Sequence, residues 1–230
     1  MLIAGDDTGS RSVVAAATAV GSTDDGRKTA LVHIDGSVRH QDLADDVCVA
    51  LTLDTLADRD SWWRELGPRL SAAVGDLNPV ALEAAEVAVL PGVDDVGLLL
   101  SLHRLITTGS NDVVVVALCE LSRAITLLAM PEGIDRLLDR AFPISVRVEQ
   151  VLAGSGPSAE ALDSHEAIES LRSQLRELTC LLHSSSTTIR LVCAPEQAAY
   201  ERAVSAYKMF SLLGFCVDGV VISGVAQAGG

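Results

Sequence analysis

The chain has 230 residues, 49% hydrophobic and 21% charged, a balance that suits one large or two small globular domains and argues against disorder. Its 31 Asp and Glu against 17 Lys and Arg leave a formal net charge of −14, which excludes a broad basic footprint for nucleic acid or an anionic membrane but not a local phosphate site. Aromatics are only 3%, so the core has to be aliphatic.

Residues 1–4 form a short apolar start that runs into GDDTGSRS. VVAAATAVG then reads as an Ala-rich helix ended by Gly21, and TALVHID as a buried strand closing on Asp35. Strand, turn, helix and strand make a βαβ unit. Residues 36–91 hold short amphipathic pieces broken at Gly67-Pro68 and Asn78-Pro79, and are expected to be mostly short helices. Within them Trp62 and Trp63 are adjacent, so on a helix they point about 100° apart. One is expected to pack inside and the other to stay partly exposed.

DDVGLLLSLHRLITTG reads as an amphipathic helix, and NDVVVVALCE, with its four valines, as the clearest strand. SRAITLLAMPEGIDRLLDRAFP reads as helix, turn, helix, and residues 154–158 as a loop. Ile168, Leu171, Leu175, Leu178 and Leu182 mark the inner face of a further helix. TTIRLVCAPE is a strand, QAAYERAVSAYKMFSLLG a helix closed by Gly214, and VDGVVISGV the last strand.

Strands alternating with helices imply an α/β fold, a parallel sheet with helices on both faces in three layers, here as one domain over residues 1–230. Ligands of such sheets bind at the carboxyl ends of the strands. That places the candidate site among residues 5–12, 35–37, 117–120, 195–196 and 223–224. No apolar run approaches the ~20 residues of a membrane span, and no basic leader precedes a hydrophobic segment. Cys48, Cys119, Cys180, Cys193 and Cys216 are scattered without zinc spacing. They read as reduced thiols, which predicts a cytoplasmic protein without a metal site. A soft-metal or arsenical site made by three converging cysteines stays open. The five histidines share no face or spacing.

The order of these motifs resembles the arsenite-pump and tail-anchored-protein-targeting ATPases, a branch of the P-loop NTPases with a deviant phosphate loop. VLPGVDDVGLLLSLHRLITTGSNDVVVV is similar to that family's helix and switch II strand. ITLLAMPEGIDRLL resembles the segment after switch II, and LVCAPEQAAYERAVSAYKMFSLLGFCVDGVVISGV its base loop, helix and last strand. The resemblance covers about two-thirds of the chain and implies a P-loop NTPase-like fold, ATP with Mg²⁺ as the family's ligands, and a dimer.

At the nucleotide motifs the chain departs from the pattern. The family's Lys-Gly-Gly-x-Gly-Lys-Thr-Thr is replaced by Asp6-Asp7-Thr8-Gly9-Ser10-Arg11-Ser12-Val13. Glycines let backbone N–H groups close around phosphates, and a lysine reaches them as a point charge. Here Asp6 and Asp7 would face the triphosphate, and like charges in a dry site cost several kcal/mol. The switch II Asp that would hold the Mg²⁺ shell is Ala117, with Glu120 three residues on. The adenine-contacting Asn of the last strand is Ser223. Asp35, in His33-Ile34-Asp35-Gly36-Ser37, stands where the resemblance implies a catalytic Asp, and Pro195-Glu196 keeps the base-loop pair.

Each candidate has a plainer reading beside it. Gly9, Ser10, Arg11 and Ser12 make either a residual phosphate loop or an ordinary helix start capped by Thr8 or Ser10, the latter favoured by the lost glycines. Asp35 either activates water or caps a turn, and with switch II altered the cap is favoured. Pro195 and Glu196 either clamp adenosine or simply start a helix. Cys119 reads as a small buried hydrophobe.

Two functions follow from different classes. The first is a degenerate P-loop homologue that binds or scaffolds without hydrolysing ATP, as a homodimer or beside an intact relative. Leu118 and Leu121 at the strand ends then either offer an apolar contact patch or simply pack under the next helix. The second is an atypical ATP- and Mg²⁺-dependent ATPase using Arg11, Ser12 and Asp35. Three methionines are too few for the Met-rich groove of the membrane-protein-targeting members.

Overall fold

A computed structural model describes residues 1–34, 49–53, 60–64, 67, 92–141 and 159–224. Six strands form one parallel sheet: β1 (Leu2–Gly5), β2 (Thr29–Ile34), β3 (Val49–Leu53), β4 (Val113–Ala117), β5 (Ile189–Cys193) and β6 (Val217–Ile222). Their order is β3-β2-β4-β1-β5-β6, which puts β1 at the centre between β4 and β5. The described helices are α1 (Thr8–Asp24), α2 (Val93–Thr108), α3 (Leu121–Ala141), α4 (Ala159–Leu182) and α5 (Gln197–Leu212), with residues 60–64 also helical. This is the α/β architecture of a P-loop NTPase-like fold.

The chain divides into two compact units. One takes in Met1–Asp54, Arg104–Ala129 and Cys180–Gly230, and holds the sheet. Its core joins Ala15, Ala16 and Ala19 of α1 to Ile3, Leu31, Val115, Ala117 and Val192. Alanines on that helix stripe let α1 lie close across the middle strands, and a close-packed aliphatic layer supplies what aromatics would otherwise provide. The other unit takes in Thr55–His103 and Met130–Thr179. There Val96 and Leu100 of α2 meet Leu171 and Leu175 of α4, with Trp62, Met130, Ile134 and Leu138 packed around them.

Most expected elements are present, and four differ. Residues 49–53 were expected in a mostly helical segment and form β3 instead, paired in register with β2 from Ala30↔Val49 to Ile34↔Leu53. Pairing to a neighbouring strand overrides weak local propensity there. Helix α1 begins at Thr8, five residues before the Ala-rich run, because the GDDTGSRS segment supplies its own cap. The expected break near Pro131 is absent: α3 runs through it, with Ala124, Leu127 and Leu128 buried before it, and Met130, Ile134 and Leu138 on either side of it packed against Val96, Leu100, Leu171 and Leu175. The burial on both sides of the proline outweighs the backbone hydrogen bond it removes. Trp62 and Trp63 are both half-buried, with ring centroids 5.7 Å apart. The predicted loop at 154–158 and most of 36–91 lie outside the described residues.

Candidate nucleotide-type site at the strand ends

The carboxyl end of β4 is bonded to β1, and that of β6 to β5. Leu118 N–H donates to the Ile3 carbonyl at 2.8 Å, and Ser223 N–H to the Cys193 carbonyl at 2.9 Å. Gly5 ends β1 against the backbone of β5: a Cβ at this position would lie 2.5 Å from the Val192 carbonyl oxygen. Only glycine allows that approach, so the turn into α1 starts deep in the sheet.

Asp7 is the N-cap of α1, in extended conformation at φ −86° and ψ 114°. Its carboxylate accepts the Ser10 backbone N–H at 2.6 Å, and its carbonyl accepts the Arg11 N–H at 3.0 Å. The expected cap, Thr8 or Ser10, is therefore corrected to Asp7, whose side-chain oxygen reaches a donor three residues on. The side-chain and backbone contacts with Ser10, aided by the Arg11 charge, hold the Asp7 carboxyl below the ordinary range against a small desolvation effect.

Arg11 is 4% exposed and turns into its own loop. Its Nη1 donates to the Gly5 carbonyl, and its Nη2 to Thr8 Oγ1 at 3.4 Å. Burial lowers its pKa, and the nearby carboxylates of Asp7, Asp6 and Glu120 oppose that. Its Nε has no hydrogen-bond partner, nor has the Oγ of fully buried Ser12. Gly9 lies in the first turn of α1.

Asp6 does not stand free before the loop. One oxygen accepts the Leu121 N–H at the start of α3 at 3.3 Å, and the other accepts Arg202 Nε of α5 at 2.6 Å. Arg202 carried no sequence signal; only the fold brings it to β1. Ala117 ends β4 fully buried. Glu120, the next carboxylate along, is exposed and accepts the Ser122 hydroxyl at 2.9 Å. Leu118 is 0% and Leu121 5% exposed, so the expected apolar contact patch is corrected: both pack into the interior.

Pro195 is exposed, and Glu196 is the N-cap of α5 at φ −97° and ψ 140°, with no side-chain capping bond. The helix-start reading of this pair accounts for its backbone. Ser223 has a buried Oγ without a partner. Asp35 lies outside the described residues. Gly9, Ser10, Arg11 and Ser12 thus lie in the first turns of α1, with Pro195 and Glu196 following β5 and Ser223 following β6.

A profile for anion-transporting ATPases matches residues 53–228, most of the chain. The chain belongs to the anion-transporting ATPase family. The matched stretch takes in β4, β5, α5 and β6, while the β1–α1 loop precedes it. Among related proteins, "Uncharacterized protein SCO2128" of Streptomyces coelicolor is 29% identical over 98% of this chain and 62% of its own length. "Putative arsenical pump-driving ATPase 1" of Aquifex aeolicus is 25% identical over 62% of this chain and 37% of its own. Protein Rv2184c of Mycobacterium tuberculosis is 26% identical over 76% of this chain and 41% of its own. The chain therefore spans between about two-fifths and three-fifths of the length of these relatives.

The family implies ATP with Mg²⁺, and the residues present do not fit that pair. The Ser10 amide is taken by Asp7, the Arg11 guanidinium by Gly5 and Thr8, and β4 ends on alanine. Among the described residues of the site, three buried polar atoms, Arg11 Nε, Ser12 Oγ and Ser223 Oγ, have no hydrogen-bond partner.

Proposed function

We propose that this anion-transporting ATPase relative is a non-hydrolysing subunit, a single nucleotide-fold domain over residues 1–230 that binds or scaffolds a partner in the cytoplasm. The proposal includes a dimer, with itself or with an intact relative. One observation carries it: where a triphosphate would be held, the Ser10 amide is already taken by Asp7 and the Arg11 Nη1 by the Gly5 carbonyl. The framework asks nothing of nucleotide chemistry, since the aliphatic core around α1 packs without it. Consistent with a protein that works outside the bilayer, no helix among the described residues is long and apolar enough to cross a membrane.

The arsenical role in the relatives' names is not carried across. Among the described residues no three His, Cys, Asp or Glu side chains stand together as a metal site. A second reading, an atypical ATP-binding protein using Arg11, Ser12 and Asp35, is favoured by the unsatisfied Arg11 Nε and Ser12 Oγ.

Thermal melting with ATP, with and without Mg²⁺, separates the two, because a ligand that prefers the folded state stabilises it. The proposal expects the same melting temperature in both. A Mg²⁺-dependent rise of several degrees contradicts it and supports the second reading.

A further inference from the structure

We propose that the outer edge of β6 is a docking surface for a second copy of this chain, whose own β6 pairs with it antiparallel about a twofold axis at Val220. The inference rests on the dimer of the reading above and names its surface.

Strand β6 ends the strand order, and among the described residues it pairs with β5 alone. Its outward backbone N–H and C=O groups form a row that another extended strand satisfies. Open edges are usually blunted by lysine, proline or a bulge. Here the register with β5 shifts at Asp218, and Gly219 to Ile222 then run on regularly. The Asp218 carboxylate accepts Arg190 Nη2 at 2.8 Å, so the edge presents little net charge.

One face of this edge is apolar and exposed. Val221 packs into the core under α1, in register with Val192. Val220 and Ile222 alternate to the opposite face. That is the face of α5, since Ile222 pairs with Cys193, which packs on Ala199 and Ala203. Val220 is 39% and Ile222 50% exposed there. Helix α5 turns Ala199, Ala203, Ala206 and Phe210 inward, and Arg202 on one flank reaches Asp6 after β1. At 100° per residue Tyr200 and Tyr207 fall on the other flank, toward the β6 edge, and both are exposed. Among the described residues, six of the nine exposed large hydrophobic side chains lie on α5 and β6.

Charge and shape select the occupant. A copy with a net charge of −14 repels another everywhere except at a stretch that carries little charge, and from Met209 to Gly224 the sequence has one charged residue, Asp218. An axis normal to the sheet at Val220 sets that residue against its own counterpart. It also sets Gly219 against Val221 of the second copy, both on the α1 face. A Cβ at Gly219 would meet nothing within 4 Å, so space is open there. Directly opposed side chains stand about 5 Å apart, and Val221 of the second copy fills that space, twice by symmetry. A gap and a valine two residues apart on one strand complement each other in a copy turned end for end.

Sedimentation of the purified chain over a concentration series, without nucleotide, tests the surface. Four paired residues and two tyrosine flanks make a small interface, about 1,200 Å² or less, which predicts a dimer formed at micromolar rather than nanomolar concentration. Val220→Lys sets two ammonium groups against each other at the axis. Gly219→Leu occupies the space that Val221 of the second copy needs, with a Cβ that meets nothing in its own chain. Both are expected to stay folded, by circular dichroism, and to weaken association at least about tenfold. A wild type that stays monomeric at about 100 µM overturns the proposal and leaves the edge to a strand of another protein. A dimer that either folded variant retains at wild-type strength also overturns it. ATP hydrolysis by the wild type would sink the non-hydrolysing reading without touching this measurement.

Discussion

Asp6 and Arg202 lie 196 positions apart and meet at 2.6 Å, the Arg202 Nε donating to Asp6 Oδ2. The other Asp6 oxygen accepts the Leu121 N–H, so one carboxylate ties the end of β1 to the start of α3 and to α5. Where the family resemblance implies a lysine directed at phosphate, this chain has a cross-brace.

The two functions of that carboxylate differ in worth. The Asp6–Arg202 pair is open to water, with side chains 37% and 57% exposed, so Arg202→Ala is expected to cost under about 1 kcal/mol. Asp6→Ala also strips α3 of an N-terminal acceptor, which adds about 0.5–2 kcal/mol. Urea unfolding of the two variants checks the order. Equal losses would mean that the Leu121 contact contributes nothing.

Away from the strand ends, Arg172 is buried among three carboxylates: Asp135 at 3.0 Å, Asp139 at 2.7 Å and Glu169 at 3.3 Å. Arg176 adds a second bond to Asp135 at 3.0 Å. Desolvation raises the Asp135 pKa, but the hydrogen bonds and charges of Arg172 and Arg176 outweigh it, and the net shift is downward. A carboxyl depressed in the fold contributes stability above its unfolded pKa of about 3.9, and that contribution fades as pH falls through the lower folded value. Asp135→Asn is therefore expected to cost about 1–3 kcal/mol at neutral pH. The gap to the wild type should close in acid below about pH 4, followed by denaturant unfolding at stepped pH. A gap that is constant with pH would contradict the assignment.

Leu118 sits at the end of β4 with no exposure. Leu118→Ala is expected to cost about 2–5 kcal/mol, as deletion of a buried leucine does. It should leave the oligomeric state of the folded protein unchanged in sedimentation. Dissociation without destabilisation would return Leu118 to a contact surface.

What could be read from the residues follows their locality. The four valines of β4 and the stripe Ile168, Leu171, Leu175, Leu178, Leu182 are local periodicities, and all five stripe residues are buried. Gly214 closes α5 at φ +85°, with Phe215 N–H returning to the Phe210 carbonyl at 2.9 Å, a helix stop that only glycine takes readily. By contrast β3 has Val49 57% exposed at the sheet edge, and its extended state is set by β2. Arg202 and Asp6 carry no shared pattern, so their pairing needed the sheet. The loss of the phosphate-loop glycines was plain in the sequence. That Asp7 would take the Ser10 amide was not, since Thr8 and Ser10 are equally good caps on paper.

The central claim is that the loop does not support ATP turnover, and steady-state phosphate release from ATP with Mg²⁺ by the purified chain tests it most directly. The account predicts a rate equal to the protein-free background, unchanged in Arg11→Ala, because the Ser10 amide and the Arg11 guanidinium are already committed and β4 ends on Ala117. Turnover above background that Arg11→Ala abolishes would contradict it.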